Sequence, residues 1–259
     1  MPANVDPAPI TRTEDVARLL QPVVVGGDIL AYSYVRELHR AFGIESTIVL
    51  ATQNIKMLSE SRFTDYRLEP HIHEQEGLYN ALEHIAQEVH GAHPEKTLLI
   101  LGCDDCHARM LSQGKQRLQD LGFVVPYIDF PLLDDITQKR RFYEICEELD
   151  IPFPKTWYFD CGNGPDELPV SEFPYPLIAK PSNSAQFQDA EPTIEGWRKI
   201  YEIESPEELA QVWHSIRTSD YNNLLVLQDF IPGGDDAIRT LTTFSDASGD
   251  MRVVAGGVV

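Results

Sequence analysis

Apolar runs and helical stripes alternate through the first half of this chain. Pro22-Val-Val-Val-Gly-Gly-Asp28 is a short apolar run closed by glycines, which predicts a buried strand. Leu30, Tyr34, Val35, Leu38 and Phe42 follow at helical spacing, and Gly43 stops that helix. Ser46 to Ala51 reads as a second strand and Thr97 to Gly102 as a third. Between them Leu78, Leu82, Ile85, Ala86 and Val89 form a helical stripe over residues 77–90. Ala108 to Leu121 is expected to be one further helix, and Val124 to Asp129 a closing strand. Strand and helix in alternation predict a parallel α/β sheet over residues ~20–130. Residues 1–20, Pro-rich and then weakly helical, are expected to dock loosely.

The rhythm then changes. Asp134 to Leu149 predicts one amphipathic helix, with Ile136, Phe142, Tyr143, Ile145, Cys146 and Leu149 on its apolar side. Ile151-Pro-Phe-Pro154 ends it, because proline cannot continue a helix. A Gly- and Pro-rich loop over 160–176 leads into a short strand, Tyr175 to Pro181, that carries Lys180 near its end. Ser205-Pro-Glu-Glu208 reads as an N-cap, a proline at the first helical position and acids in the first turn of a helix over 205–217. Asn223 to Gln228 is a strand, Asp229 to Asp236 a turn, and Thr240–Phe244 with Met251–Val254 an antiparallel pair around Asp246-Ala-Ser-Gly249. Met251 to Val259 stops on apolar residues in mid-pattern, so the natural chain is expected to continue, and an unpaired apolar edge there favours a homo-oligomer.

Composition narrows the function classes. At 259 residues, with 42% hydrophobic and 24% charged, the chain is neither disordered, collagen-like nor membrane-spanning. Its 21 Lys and Arg against 41 Asp and Glu give a net charge of −20, which repels phosphate backbones and excludes nucleic acid as a general partner. An anionic ligand therefore needs a local basic site. Four cysteines are too few for a disulfide scaffold, and Met1 to Arg18 holds no apolar leader segment, so a reducing cytoplasmic compartment is expected.

Two lysines are the candidates for that basic site. Lys139 lies in a Lys-Arg-Arg run, and Lys180 ends a strand followed by Ser182-Asn-Ser184, a pattern that can present a cation and hydroxyls to phosphate oxygens. A solvated basic helix face with a snorkelling lysine fits the same spacing. Gln228, Asp229, Phe230 and Ile231 could frame an adenine, with Asp235 on a ribose, although Pro232-Gly-Gly234 also makes an ordinary hairpin corner. Gly26-Gly-Asp28 could hold a carboxylate or phosphate at a helix start, but it reads more simply as a tight strand–helix turn and is no dinucleotide fingerprint. Cys103-Asp-Asp-Cys106 and His107 have zinc or redox spacing without two further ligands, so the cysteines are expected to pack at a helix start. His71 and His73 read as surface histidines.

In order, a helix lysine, a strand-end lysine, an extended hinge and an acid resemble the ATP-grasp superfamily of carboxylate–amine ligases. Tyr127-Ile-Asp-Phe-Pro-Leu-Leu133, Arg141 to Thr156, Lys180-Pro-Ser-Asn-Ser184 and Gln228 to Asp236 narrow the resemblance to its D-aspartate ligases, from about Val23 onward. That resemblance implies an α/β fold: a Rossmann-like pre-ATP-grasp domain over 1–133, a linker helix and lid over 134–227, and the start of an incomplete C-terminal ATP-grasp subdomain over 228–259. It implies ATP and Mg2+ as cofactors and an acyl-phosphate route from D-aspartate to an amide on a peptidoglycan-precursor lysine. A non-catalytic nucleotide- or amino-acid-binding module of the same fold is the alternative. Lys139, Lys180, Ser182, Ser184, Gln228, Asp229, Phe230, Ile231 and Asp235 would contact ATP, and Gly26, Gly27, Asp28 and Arg239 the amino-acid substrate. No metal ligands are evident in the chain and they are expected beyond Val259, so these residues alone should bind ATP weakly and form no amide.

Overall fold

The computed structural model of the chain describes residues 13–258, and it divides between Thr137 and Gln138 into two compact units. The first unit runs α1 (Thr13–Leu19), β1 (Leu20–Val25), α2 (Ile29–Phe42), β2 (Thr47–Ala51), α3 (Lys56–Ser59), β3 (Thr64–Leu68), α4 (Gln75–Ala92), β4 (Thr97–Gly102), α5 (Asp105–Gln113), α6 (Lys115–Asp120), β5 (Phe123–Val124) and α7 (Phe130–Thr137). Its five strands are parallel, in the order β3-β2-β1-β4-β5. Successive side chains of a strand leave opposite faces. Val23 and Val25 of β1 pack with Leu78, Leu82 and Ile85 of α4, while Val24 packs with Ala31 and Val35 of α2. Helices covering both faces explain why Val23–Val25 of β1 and Ile48–Ala51 of β2 are continuous apolar runs rather than alternating ones. Strand order reverses at β1, where Val23 pairs with Ile48 on one side and Ile100 on the other. Loops leaving the carboxyl ends of strands at such a switch point part to form a crevice.

Several sequence expectations are corrected here. The helix expected over Ala108–Leu121 is two, α5 and α6, and it begins at Asp105 because Asp104 Oδ1 accepts from the His107 N–H at 2.7 Å. The break falls at Gly114, where a Cβ would lie 2.4 Å from Cζ and Oη of Tyr79. The Tyr79 hydroxyl donates to the Met110 carbonyl at 2.7 Å, so the ring has no room to retreat. Gly114→Ala is expected to cost about 1–3 kcal/mol by overpacking, read calorimetrically as a lower melting temperature; an unchanged midpoint would show that the ring can yield. The strand expected over Val124–Asp129 pairs only at Phe123–Val124, since Pro126 has no N–H for the ladder.

The single helix expected over Asp134–Leu149 is also two, α7 and one that starts at Lys139, separated by an extended Gln138 (φ −84°, ψ 115°). Thr137 Oγ1 donates back to the Leu133 and Asp134 carbonyls, a bonding pattern that bends or ends helices. Edge strand β3 is not evident from periodicity, because its Thr-Asp-Tyr-Arg-Leu segment carries little apolar signal. Of the N-terminal segment, Thr13–Leu19 is helical, and the remainder of that expectation lies outside the described residues.

The second unit contains α8 (Lys139–Glu148), β6 (Thr156–Asp160), β7 (Leu177–Pro181), α9 (Ser184–Asp189), β8 (Tyr201–Ile203), α10 (Pro206–Arg217), β9 (Leu224–Asp229), β10 (Arg239–Ser245) and β11 (Met251–Val258). Strands β6-β9-β7-β8 form an antiparallel sheet. Leu177 and Ala179 of β7 and Leu225 and Leu227 of β9 meet Leu209, Trp213 and Ile216 of α10 in its core. Ser205 caps α10 as expected, accepting from the Glu208 N–H at 3.2 Å. Strands β10 and β11 pair separately from Arg239↔Val258 to Ser245↔Met251, further than expected, with every described residue of the two strands exposed. The whole is a mixed α/β chain with a parallel sheet in its first unit. Among the described residues no helix is long and apolar enough to cross a membrane.

Candidate functional site

Alternation along β7 sends Leu177 and Ala179 into the core and Lys180 to the opposite face of the sheet. Gln228 of the neighbouring β9 shares that face, again by alternation with the core residues Leu225 and Leu227. Lys180 Nζ donates to Gln228 Oε1 at 2.8 Å, and Gln228 Nε2 donates to Thr156 Oγ1 at 2.9 Å. The Tyr143 hydroxyl of α8 stands 3.5 Å from Lys180 Nζ. One turn earlier on the same helix, Lys139 Nζ donates to the carbonyls of Pro181 (2.8 Å) and Ser182 (3.2 Å). The two expected lysines are thus brought together, both held by neutral oxygens. Burial, and then the nearby charges of Lys180 and Lys199, hold the Lys139 ammonium below the ordinary lysine range. Such an arrangement can receive a polyanion: the cations are pre-positioned, and an incoming negative charge relieves their mutual repulsion. Tyr143 and Thr156 were missed as site residues; the spacing of Tyr143, four residues from Lys139, was the available signal.

The other expected ATP contacts fare unevenly. Ser182 Oγ donates to Asn223 Oδ1 at 2.9 Å, so its hydroxyl is committed within the unit, while Ser184 opens the six-residue α9 and is exposed. Asp229 donates its N–H to the Lys155 carbonyl at 3.0 Å and keeps Oδ1 buried without a hydrogen-bond partner. Phe230 is half-buried and Ile231 exposed. The Asp235 side chain lies outside the described residues. Arg239, expected on the substrate, instead closes its own turn, donating to the carbonyls of Asp236 (2.6 Å) and Ile238 (3.1 Å). Asp246 and Asp250 both accept from Arg252, at 2.6 and 3.1 Å, and Arg252 with the backbone donors of the turn holds the Asp246 carboxyl below the usual carboxylate range. Arg252 thus ties both acids to the hairpin tip.

In the first unit, a cleft of about 170 Å³ opens where the strand order reverses, between the loops that follow β1 and β4. Gly26 there has φ +133°, and a Cβ on it would lie 2.6 Å from Cβ of Cys103. Asp28 Oδ1 accepts from the Leu30 and Ala31 N–H groups, each at 3.0 Å, and so caps α2. The tight-turn reading therefore accounts for Gly26 and Asp28. Burial, with the Asp28 and Asp104 carboxylates, pushes the Cys103 thiol up to about 12, and the Cys106 thiol is raised as well, so neither is poised as a thiolate. His71 and His73 are both exposed, as expected; His71 bonds Glu74 at 2.8 Å, and His73 stacks on the fully buried His107 with ring centroids 4.9 Å apart. Burial is also the main cause that lowers the His107 imidazole pKa. Only folding brings His73 and His107 together, since the sequence holds them 34 residues apart.

No family model matches the chain. It is 30% identical over 241 residues to D-aspartate ligase of Enterococcus faecium (strain Aus0004), across 91% of this chain and 55% of that protein, so the chain spans about half the length of the curated relative it matches. Among solved structures, D-alanine–D-alanine ligase from Bacillus anthracis complexed with ATP aligns at a TM-score of 0.49 and 13% identity, over 93% of this chain and 69% of that one. The Helicobacter pylori D-alanine–D-alanine ligase aligns at 0.43 and 13%, over 90% and 69%. Likenesses that distant carry no argument, whereas the sequence match covers the motifs around Lys139, Lys180 and Gln228. By sequence, this chain is similar to D-aspartate ligase over nine tenths of its own length.

Proposed function

We propose that the protein is an ATP-dependent carboxylate–amine ligase of the cytoplasm that joins D-aspartate to a lysine amine of a peptidoglycan precursor. The observation that carries this is the pair of ammonium groups on one sheet face of a chain whose net charge is −20. The similarity to D-aspartate ligase supports the choice of acid, and the acceptor follows the family resemblance of the motifs. ATP, when bound, supplies the phosphoryl group that activates the carboxylate, which the amine then attacks with loss of phosphate. Lys139 and Lys180 bind phosphate oxygens and stabilise charge as it moves, a task that asks positioning rather than covalent chemistry of the protein. Gln228 and Thr156 hold the Lys180 ammonium in place.

A non-catalytic nucleotide-binding module remains the second reading, favoured by the capture of Asp246 and Asp250 by Arg252. Both readings expect ATP to bind, and they part on turnover: D-aspartate-dependent phosphate release, lost in Lys180→Met, supports the ligase, and ATP binding without release supports the module. Absence of ATP binding at millimolar concentration would overturn both. Proton linkage gives an independent check on Lys139. Phosphate oxygens should raise its depressed pKa, so ATP binding takes up protons at alkaline pH between the free and bound values. Affinity is then full below the free-state value and declines as pH rises through that window. Calorimetry in buffers of different ionisation enthalpy reads this uptake directly, and none in wild type would remove Lys139 from the phosphate site.

A further inference from the structure

The first unit holds a side-chain cluster that the ligase chemistry does not use. His73, Asp104 and His107 each offer one ligand atom, and these atoms lie within 4.8 Å of one another. We propose that they form a divalent transition-metal site of the Zn2+ class, with its remaining coordination position open to the cleft beside β1 and β4. His107 carries the argument. It is fully buried, and neither ring nitrogen has a hydrogen-bond partner. Asp104 Oδ2 stands 3.0 Å from Nδ1 of His107 but off the line that a hydrogen bond needs. An imidazole buried with both nitrogens unmet is costly, and native structures rarely keep one without a reason. A metal ion satisfies one nitrogen and recruits the two neighbours that already surround it.

Chemistry of the donors selects the ion. Two imidazoles with one carboxylate is a set that borderline ions such as Zn2+ take, in sites that keep one position free, whereas Mg2+ and Ca2+ want oxygen ligands. Tetrahedral bonds of about 2.0–2.2 Å place ligand atoms about 3.3–3.6 Å apart. Asp104 and His107 are near that spacing already, and the exposed His73 needs only a modest closure. Two of the ligands are anchored by backbone structure that exists without the ion. Asp104 caps α5 through its other oxygen, and His73 follows Ile72, which is buried in the core of the unit.

The test uses the whole chain, stripped with a chelator and titrated with Zn2+ alone against a competing indicator. One Zn2+ per chain is expected, together with the strong visible bands of four-coordinate Co2+ when that ion is substituted. His73→Ala and Asp104→Asn should each weaken Zn2+ binding by about a hundredfold or more, since loss of an outer-shell partner alone costs about 10- to 100-fold. Both leave the core intact, since His73 is exposed and asparagine retains the capping oxygen. His71→Ala, two residues away on the surface, should leave affinity unchanged. Failure of wild type to bind one equivalent, binding unaltered in both variants, or an equal loss in His71→Ala would each overturn the site.

Discussion

Lys180→Met is expected to weaken ATP binding about ten- to a hundredfold, the equivalent of losing one charge-assisted contact of about 1.5–3 kcal/mol. Methionine keeps most of the apolar stem and removes the ammonium. The structure adds a consequence for stability. Gln228 Oε1, which now accepts from Lys180 at 2.8 Å, would lose that donor in a residue only 5% exposed. A buried acceptor left unmet costs about 1–3 kcal/mol, so the variant should also melt earlier than wild type. The double variant Lys180→Met with Gln228→Leu removes donor and acceptor together and should recover part of the stability without recovering ATP affinity. Titration calorimetry and thermal melts on the three proteins separate the two effects. Unchanged ATP affinity in Lys180→Met would take this lysine out of the nucleotide site.

A larger loss of stability is expected from Trp213→Ala. Trp213 is 2% exposed at the centre of the core under the β6-β9-β7-β8 sheet, and its ring meets Phe159 edge-on at 6.2 Å. Its indole N–H also donates to the Asp166 carbonyl at 3.1 Å, tying the long loop after β6 to α10. Truncation removes the ring contacts and leaves a cavity, together costing about 3–5 kcal/mol. Domains have only about 5–15 kcal/mol of stability in total, so the second unit should be close to unfolding at ordinary temperature. Urea titration followed by circular dichroism measures the shift. A loss below about 1 kcal/mol would mean that the core collapses around the gap and that α10 is not the element holding the sheet.

How much of this was legible beforehand differs by element. Strands β1, β2 and β4 announce themselves because their middles, Val23–Val25, Ile48–Ala51 and Leu98–Leu101, are continuous apolar runs, and no register choice is needed to see them. Helix α10 is equally plain, since Ser205, Pro206 and the acids that follow are each local solutions to unsatisfied N–H groups. Edge strands β3, β5 and β8 are not plain. An edge strand owes its conformation to the neighbour it pairs with, and Tyr-Glu-Ile or Thr-Asp-Tyr-Arg-Leu alone says little. Helix breaks at Gly114 and Gln138 were likewise missed, because a ring from α4 and the back-bonding of Thr137 decide them.

The sites divide along the same line. Residue types and order were enough to single out Lys139, Lys180 and the hinge at Gln228, and with them the similarity to D-aspartate ligase, because charged and turn-forming residues keep their chemistry whatever surrounds them. Which oxygens those lysines rest on, that Ser182 turns to Asn223 and that Arg239 folds back onto its own turn were settled only by packing. The cluster of His73, Asp104 and His107 is the clearest case. Its histidines are held on segments 34 residues apart in sequence, one after β3 and one in the first turn after β4. A parallel sheet gathers the carboxyl ends of its strands along one edge, so residues with no local relation meet there. Local pattern specifies strands and caps because those depend on near neighbours, while the meeting of distant side chains depends on strand order, which only the folded sheet determines.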